Sequence, residues 1–486
     1  MLHNPRFSLC LGLVLSLSLL AWAPAVDAVK VVSYNLLNYD NQYTARDAAF
    51  RTVLAGIGDA DLLCVQEVQD LTAMNRFRTN VLDVIEPGEW SQAFFYNDPG
   101  ASFNQGLFYR HAAVTVTAAD TLGNSPRDIA YYTVKPVGYT SAEAAMILFV
   151  VHYKAGSGTD DQSTRLVEAE RLRLFMNTQF PAGTNMVILG DFNMRSSNET
   201  AYQEMVQSQT NNTGRVQDPI SRPGTWYNSS SFADIHTQSP RTGYLDPNDG
   251  GATGGMDDRF DQILPTYSLA DGEGLDQLSS TYRAFGNDGL HFNNDINDPP
   301  VIPEGQAVAD ALQRASDHLP VFMVFQVPSI AAVDPSLDFG TVILGGSAER
   351  TATVANGATP PADELDYTLA TTAGFTAPGG AFQALAGSAG NPHIVTMLGD
   401  AVGQKNGTLT VSSDDVDNPN VWSALAGTVV DHSVPSLSSG ESILLSGAVD
   451  FGTHGVGSFA DRVVNVWNFE FDDLQAMLEI HDAEIV

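Results

Sequence analysis

Short apolar runs alternate with segments of helical spacing from Lys30 to about Val327. Residues 145–154 and 185–193 are two of the apolar runs, and apolar residues recur at helical spacing from 166 to 176 between them. Such alternation is typical of α/β or α+β domains, because helices there cover the faces of a sheet. The pattern therefore predicts an α+β fold for this part of the chain.

The chain is too long for one core, since domains usually hold about 100 to 200 residues. We predict a first domain over 29–327 and a linker over 328–335. No helical period follows for about a hundred residues, and short β-like runs lie between Gly, Pro, Asn and Asp. This pattern predicts an all-β sandwich over 336–431, followed by a tail over 432–486.

An internal repeat marks the tail as related to the β module. Residues 337–356 align without gaps with 449–468, and nine of these twenty positions are identical. Such self-similarity indicates a repeated structural unit. The tail is too short for a closed sandwich, so we predict a partial second β repeat: a truncated copy, a strand donor or a segment that needs a partner.

The first 28 residues have the pattern of a secretory signal peptide. Arg6 precedes an apolar run from Leu9 to Trp22, and residues 26–28 form a small-residue cleavage site. The run is shorter than the roughly 20 apolar residues that span a bilayer. We therefore expect a secreted or periplasmic protein with no membrane span. Its Cys64 is expected to have no disulfide partner and to belong to the core.

The chain is strongly acidic. It has 23 Lys and Arg against 57 Asp and Glu, a net charge of −34. Residues 29–330 contain 19 basic and 36 acidic residues, and residues 331–486 contain 3 basic and 20 acidic residues. Each part therefore has a net charge of −17. Such an excess keeps a protein soluble and repels polyanions, so charge alone argues against nucleic acid as a partner.

Polar residues stand where several of the predicted strands end. Any one of them would usually be a turn or cap residue. Together they predict one polar rim where the strands converge, which is where sites in such folds are often built. The candidates are Asn35, Glu67, His152, Asp191, Asn193, Asp261, Asp317 and His318.

These residue types suit metal-assisted hydrolysis of a phosphate ester. Glu67 and Asp317, with Asn35 nearby, offer the hard oxygen ligands that Mg²⁺ or Mn²⁺ prefers, and the lack of Cys ligands argues against zinc. A metal there would polarise a phosphoryl oxygen.

The remaining candidates are predicted to handle water and protons. Asp191 could orient and deprotonate a water, and Asn193 could hold that water in line with the phosphorus. His318 could stabilise the charge that builds on the phosphorus or the leaving oxygen. Asp261 is the candidate acid that orients His318.

Five motifs, in this order, resemble the endonuclease/exonuclease/phosphatase superfamily, which includes pancreatic-type deoxyribonuclease: 63-LCVQEV-68, 152-HYK-154, 188-ILGDFN-193, 258-DRFDQIL-264 and 316-SDHLPV-321. The resemblance covers about residues 29–327 and implies a four-layer α/β/β/α sandwich with the site at one end. It also implies these roles: Asn35 and Glu67 at the metal, Asp317 near it, His152 and His318 at the phosphate, Asp191 and Asn193 at the water, and Asp261 behind His318.

One departure concerns His152. In the deoxyribonuclease branch a Glu pairs with the corresponding His, but residues 102–110 contain no acid. We therefore expect His152 to lack its orienting carboxylate or to take one from elsewhere. Residues 194–258 and 286–298 look like additions to the domain, and His291 in the second addition is a weaker candidate for the site.

Two acidic segments, 246–251 and 414–420, suggest structural Ca²⁺. Neither has the full spacing of a calcium loop, so solvated turns are the favoured interpretation. The β module resembles immunoglobulin-like modules through its "LDFG" at 337–340, Asn356 and residues 409–415. Such modules usually bind a ligand or act as spacers, and we assign no chemistry to the β module.

The leading functional prediction is a secreted, metal-dependent phosphodiesterase, most simply a nuclease of low sequence specificity acting on DNA or RNA. One alternative keeps the chemistry and changes the substrate, to a phosphatase or phospholipase-type reaction on a small or lipid phosphate ester. Another is an exported binding protein that has lost its activity. The pattern gives no indication of the oligomeric state.

Overall fold

The computed structural model describes residues 28–40, 42, 44–98, 103–245, 250–440, 442–458, 460–482 and 484. The predicted signal peptide, apart from residue 28, lies outside these residues. Six α-helices are present in the described parts: α1 (Asp47–Ile57), α2 (Leu71–Phe77), α3 (Asp83–Ile85), α4 (Thr159–Gln179), α5 (Thr200–Val206) and α6 (Gln306–Ala315). Shorter turns of other helix types are Thr44–Arg46, Arg78–Leu82, Ser230–Ile235 and Tyr267–Leu269.

The first sheet has six strands, and its central pair is parallel while its other pairs are antiparallel. In chain order its strands are β1 (Val29–Tyr39), β2 (Leu62–Val68), β3 (Trp90–Gln92), β4 (Asn104–Arg110), β10 (Asp276–Ala284) and β11 (Val321–Gln326). They lie side by side in the order β10-β11-β1-β2-β4-β3.

The second sheet has five strands in sequential order. They are β5 (Val114–Leu122), β6 (Ile129–Pro136), β7 (Met146–His152), β8 (Met186–Asp191) and β9 (Asp261–Pro265). Strands β7 and β8 are parallel and are joined by α4, whereas β8 and β9 are antiparallel.

Three apolar layers hold this part of the chain together. Leu63 and Val65 on β2 face a core shared with α1, α2 and α6, while Leu62 and Cys64 face the core between the two sheets. A third core packs α4 and α5 on the second sheet and includes Phe149. Because strand side chains alternate between faces, a strand covered on both sides must be apolar throughout. The mixed α/β prediction and the core position of Cys64 are confirmed.

The C-terminal part consists of two further sheets over 331–430. Their strands are β12 (Ala331–Val333), β13 (Ser336–Ile343), β14 (Ser347–Asn356), β15 (Leu365–Thr371), β16 (Phe375–Thr376), β17 (Ala381–Ala384), β18 (Asn391–Leu398), β19 (Gly403–Ser413) and β20 (Asn420–Val430). They pair as β12-β14-β18-β16 and β13-β20-β19-β15-β17. The immunoglobulin-like assignment of this module stays a prediction.

The predicted linker differs from the structure in one respect. Residues 331–333 form β12, which pairs with the end of β14, because the side chain of Ala331 is buried in a small apolar core. The C-terminal sheets also contact the first part of the chain. The carboxylate of Asp417 accepts hydrogen bonds from the backbone N–H groups of Thr140 and Ser141, at 2.9 and 2.5 Å.

The predicted tail contributes little regular structure. Pro435–Ser436 and Trp467–Asn468 form a two-residue antiparallel pair, and the described residues between them form no other strand. The second copy of the repeat therefore does not form the strands of the first copy. No helix in the described part of the chain is long and apolar enough to cross a membrane.

Candidate active site

The predicted site residues come together where strands of both sheets end. Asn35 and Glu67 lie near the ends of the parallel strands β1 and β2 in the first sheet. His152, Asp191 and Asp261 are neighbours across β7, β8 and β9 in the second sheet. Since the two sheets pack face to face, these five side chains meet at one end of the sandwich.

Unusual backbone geometry directs several of these side chains. Gly190 has a φ of +141°, and a Cβ at this position would lie 2.0 Å from the carbonyl oxygen of Val151 on β7. Only glycine fits there, so β7 and β8 can run close together just before Asp191. Glu67 and Asn193 have φ of 59° and 51°, a left-handed conformation that is costly for such residues and tends to occur at functional sites.

A single amide connects the carboxylates of Glu67 and Asp191. Nδ2 of Asn35 donates hydrogen bonds of 3.1 Å to Oε1 of Glu67 and of 3.1 Å to Oδ2 of Asp191. The amide oxygen of Asn35 accepts the backbone N–H of Leu37 at 2.9 Å, and the backbone N–H of Asn38 donates to the other oxygen of Glu67 at 2.8 Å. Asn35 therefore holds two carboxylates close together.

His318 and Asp261 form a buried ion pair. Nδ1 of His318 donates to Oδ2 of Asp261 at 2.7 Å, and the hydroxyl of Thr237 donates to the same oxygen at 2.7 Å. Burial alone would lower the pKa of His318, but the carboxylates of Asp261, Asp317 and Asp191 together raise it well above the usual value. His318 is thus held as a cation whose Nε2 lies 3.7 Å from Oδ2 of Asp191.

His152 has a different environment. Its Nε2 lies 3.7 Å from Oε1 of Glu67 and 3.6 Å from Oδ2 of Asp191, and its Nδ1 is buried with no hydrogen-bond partner among the described residues. Burial and the nearby guanidinium of Arg127 lower the pKa of His152 well below its usual value. No acid orients this ring in the described part of the chain, in line with the missing Glu in the sequence.

Asp317 adds a fourth carboxylate to the site, after those of Glu67, Asp191 and Asp261. Its Oδ2 accepts the backbone N–H of Ala252 at 2.6 Å and a long hydrogen bond of 3.5 Å from the side-chain amide of Gln238. Its Oδ1 is buried without a hydrogen-bond partner in the described structure and lies 3.9 Å from Nε2 of His318.

Asn193 lies beside Asp191. Its backbone N–H donates to Oδ1 of Asp191 at 2.9 Å, and its side-chain amide donates to the carbonyl oxygen of Tyr153 at 3.1 Å. The first bond fixes the orientation of the Asp191 carboxylate, because it anchors the oxygen that does not face Asn35.

The carboxylates of the site retain protons more readily than free ones. Burial raises the pKa of Asp191 to about 7, against the attraction of His318, and Asp261 and Glu67 add to the rise. Burial also raises the pKa of Glu67, with a further contribution from Asp317. Like charges crowded into a buried site resist ionisation together, and a cation among them would remove that resistance.

The donor set fits a divalent metal. One ligand atom from each of Glu67, His152 and Asp191 lies within 4.8 Å of the others, and Asp317 contributes the unsatisfied oxygen described above. Carboxylate oxygens with one imidazole nitrogen are ligands of Mg²⁺ or Mn²⁺ type. The predicted metal role is thus supported most directly for Glu67, whereas Asn35 turns its nitrogen, and not its oxygen, toward the two carboxylates.

These side chains line a cavity of about 440 Å³. Arg195 is the only Lys or Arg among the described residues that line it. Its guanidinium lies 4.1 Å from the centre of the Tyr227 ring, and its Nε lies 3.9 Å from Oδ1 of the buried Asp258. Burial raises the pKa of Asp258 to about 7, and Asp257 adds to the rise.

Sequence reasoning missed three residues of this site: Arg195, Thr237 and Gln238. The side-chain amide of Gln238 lies 2.6 Å from Nε2 of His318, and a protonated ring donates there only if the amide presents its oxygen. Arg195 could have been found from its place two residues after Asn193. Thr237 and Gln238 lie in the long polar segment before Asp258, where no periodicity marks them.

Two weaker candidates lie elsewhere. His291 is buried, and its ring nitrogens face acceptors of its own loop. Nδ1 lies 2.9 Å from Oδ1 of Asp288, and Nε2 lies 2.9 Å from the carbonyl oxygens of Asp298 and Pro300. It does not line the cavity. In the second acidic segment, Asp415 accepts backbone N–H groups of its own turn and of Ala331, and Ca²⁺ binding there stays a prediction. Residues 246–249 lie outside the described residues.

No curated protein sequence matches the chain. Similar solved structures include TDP2 of D. rerio, humanised by 14 mutations, at 12% identity and a TM-score of 0.40, covering 62% of this chain and 99% of that one. An endonuclease/exonuclease/phosphatase family protein of Bacteroides thetaiotaomicron is 16% identical with a TM-score of 0.37, covering 61% and 97%. A mannosyl-6-phosphatase of the same organism is 15% identical with a TM-score of 0.36, covering 61% and 99%.

The sequence model of one family matches residues 32–414, which is more than three quarters of the chain and extends into the C-terminal sheets. The match includes the predicted site residues Asn35 to His318. The chain belongs to the endonuclease/exonuclease/phosphatase family and is a metal-dependent hydrolase of phosphate esters.

Proposed function

We propose that the protein is an exported phosphodiesterase, and that its substrate is a nucleic acid cleaved with low sequence specificity. The observation that carries this proposal is the charge of the site. Three carboxylates, from Glu67, Asp191 and Asp317, line the cavity with the cationic His318 and with Arg195. A phosphodiester carries one negative charge and a phosphomonoester carries close to two, so this acidic site repels a diester less.

The residues have separable proposed roles in hydrolysis. His318, kept protonated by Asp261, would donate a hydrogen bond to the phosphate and stabilise the charge that develops on it. Asp191, fixed by Asn193 and Asn35, would orient the attacking water and accept its proton. A bound divalent metal would supply Lewis-acid polarisation of the phosphoryl group, and Glu67 is the residue best placed to hold it.

Arg195 is proposed to contact the substrate beyond the scissile bond. Its stacking on Tyr227 and its proximity to Asp258 hold the guanidinium at the cavity, while no carboxylate among Glu67, Asp191 and Asp317 pairs with it in the described structure. A guanidinium in this position suits a second phosphate of a polynucleotide, because Arg binds phosphate through two parallel hydrogen bonds.

Export is proposed from the sequence of the first 28 residues, whose pattern is that of a cleavable signal peptide. A second candidate function is favoured by the net charge of −34. A long polyanion would be repelled by such a surface, whereas a small phosphodiester such as a lipid head group would not.

One experiment separates these candidates. Purified protein without its leader is incubated with supercoiled plasmid, single-stranded DNA, RNA, a short-chain phosphatidylcholine and bis(p-nitrophenyl) phosphate, with Mg²⁺, Mn²⁺ or chelator. The His318→Gln variant is the control for contaminating nucleases. Metal-dependent cleavage of the polynucleotides that disappears in the variant would support the nuclease. Hydrolysis of the small diesters alone would refute the nucleic acid substrate and favour the second candidate.

A further inference from the structure

The tail begins with the same contacts that open the β module. In the module, the backbone N–H of Ile330 donates to the side-chain oxygen of Asn356 at 3.1 Å. The backbone N–H of Gly357 donates to the carbonyl oxygen of Ile330 at 2.7 Å. The same two hydrogen bonds recur in the tail, at 2.8 and 2.7 Å, among Val434, Asn468 and Phe469.

A third backbone contact recurs in the same way. The N–H of Asp363 donates to the carbonyl oxygen of Val327 at 2.9 Å, and the N–H of Ala476 donates to that of Asp431 at 2.8 Å. The two-residue strand pair of the tail also corresponds to the pairing of β12 with the end of β14. Because these contacts recur in the same order along the chain, the tail is folded as the opening of a second module of the same type.

The two copies of the repeat differ in what covers their apolar side chains. Four apolar positions of β13 and β14 are at most 8% exposed in the first module: Leu337, Phe339, Ala352 and Val354. Their counterparts in the tail are 38 to 53% exposed: Val449, Phe451, Val464 and Val466. No β pairing in the described part of the chain includes residues 449–466. The tail therefore exposes a surface that the first module buries.

The first module shows which strands are missing from the tail. There β14 pairs antiparallel with β18 from Ser347 to Val354, and β13 pairs with β20. Among the described residues the tail has no counterpart of β18 or β20, so the edge at 460–466 is open to another strand. An open edge beside apolar side chains suits the addition of a β-strand, since main-chain hydrogen bonds supply affinity and alternate side chains supply specificity.

The charge of the tail restricts the strand that can be added. Residues 431–486 contain one Arg and ten Asp or Glu, a net charge of −9. A second copy of the chain has the same acidic tail and a net charge of −34, so pairing two copies would bring like charges together. A strand that carries Lys or Arg would be attracted instead. Charge complementarity therefore favours a cationic partner over self-association.

We propose that residues 449–468 are a docking site for a β-strand of another protein, apolar on one face and bearing Lys or Arg on the other. The added strand would lie antiparallel to 460–466, in the place that β18 takes beside β14. Its apolar face would cover Phe451 and Val464, because Val395 and Met397 of β18 share a core with the corresponding residues of the first module. The inference does not depend on the proposed function, since the tail does not line the catalytic cavity.

The test uses a fluorescent eight-residue peptide that copies β18 (Asn391–Leu398). The inward positions 393, 395 and 397 are kept, and lysine replaces residues 392, 394, 396 and 398. Fluorescence anisotropy measures its binding to the full chain without its leader. The matched control peptide has glutamate at the same four positions. We expect the lysine peptide to bind at least about tenfold more tightly at low salt, and the difference to shrink as salt rises.

Variants of the tail locate the binding site. Phe451→Ser and Val464→Ser should each weaken binding of the lysine peptide by about tenfold, because each removes an apolar side chain that the peptide would cover. Both residues are exposed, so neither substitution should disturb the rest of the fold. The matched control is Trp422→Ser, which removes an exposed side chain of β20 and should leave binding unchanged. The bound peptide should also slow hydrogen exchange at the backbone amides of 460–466.

Three results would overturn the proposal. The first is that the lysine peptide does not bind, or that its binding survives both tail substitutions. The second is equal binding of the glutamate peptide, which would refute a cationic partner. The third is a dimer of the chain in sedimentation that is lost in Val464→Ser, since a second copy would then occupy the open edge.

Discussion

The pairing of His318 with Asp261 gives the sharpest prediction about catalysis. The 2.7 Å hydrogen bond between them is fully buried. It places the centres of the two charges about 4 Å apart, where unit charges attract by about 4 kcal/mol at an effective dielectric constant of about 20. Asp261→Asn removes this charge and keeps the shape. Since each 1.4 kcal/mol or so is a factor of ten, we expect kcat to fall by about 10² to 10³.

The pH dependence provides a specific signature of this loss. Asp261 contributes to the raised pKa of His318, so Asp261→Asn should lower that pKa. The reaction requires the protonated ring, and the alkaline limb of the kcat/KM profile should therefore move to lower pH. The assay is hydrolysis of bis(p-nitrophenyl) phosphate at saturating metal across the acidic, neutral and alkaline range.

Thr237→Val is the matched control for Asp261→Asn. It removes the 2.7 Å hydrogen bond from Thr237 to the same carboxylate oxygen and retains the charge. Loss of one hydrogen bond costs about 1 kcal/mol, so we expect at most about a tenfold decrease and an unmoved alkaline limb. A folded Asp261→Asn protein with a normal rate and a normal alkaline limb would refute the role of the ion pair.

Three further predictions concern binding and stability. Arg195→Gln should raise KM for an oligonucleotide by about 10- to 100-fold with little change in kcat. The control Arg222→Gln, which alters an exposed ion pair with Asp234, should leave KM unchanged. A fall in kcat as large as the rise in KM for Arg195→Gln would contradict this prediction. Gly190→Ala should lower the free energy of unfolding by at least about 2 kcal/mol in denaturant titrations, because the new Cβ would collide with the backbone of Val151. The control Gly183→Ala should lower it by only about 1 kcal/mol, because Gly183 has a φ of +84° but open space around it. When chelator keeps the site free of metal, the raised pKa of Asp191, about 7, means that its proton stabilises the folded state. This stabilisation is fully present below about pH 4, the pKa of an unfolded Asp, and it is lost as the pH rises through about 7. The excess of Tm at about pH 5 over that at about pH 8 should therefore shrink in Asp191→Asn, and an unchanged difference would contradict the raised pKa.

The sequence predicts the site well wherever a residue follows a buried strand. Asp191 and Asn193 were identifiable because an apolar run ends at Gly190, and Asp261 because it begins β9. Strand periodicity gives both the position of such residues and the end of the sheet at which they meet. It does not give the direction of a side chain. The amide nitrogen of Asn35 donates to Glu67 and Asp191, and the role of Asn35 at the metal stays a prediction.

The residues that sequence reasoning missed share one property: they reach the site from loops. Thr237 and Gln238 form isolated backbone contacts with Asp258 and His318 rather than belonging to a strand. Their positions depend on contacts between segments 20 or more residues apart in the chain, and no local pattern records such contacts. The same holds for β12, whose three residues form a strand only because β14 lies beside them.

The acidic surface leads to an unusual prediction for a nuclease. Proteins that bind nucleic acid through many Lys and Arg residues lose affinity as salt rises. Here residues 29–330 carry a net charge of −17, and Arg195 is the one Lys or Arg among the described cavity residues. Repulsion of a long polyanion should dominate at low ionic strength and weaken as the Debye length falls from about 30 Å at 0.01 M to about 8 Å at 0.15 M. KM for a long single-stranded DNA should therefore decrease over this range, while KM for bis(p-nitrophenyl) phosphate should stay flat. A KM for DNA that rises steeply with salt would show that a basic surface, and not the metal site with Arg195, binds the polymer.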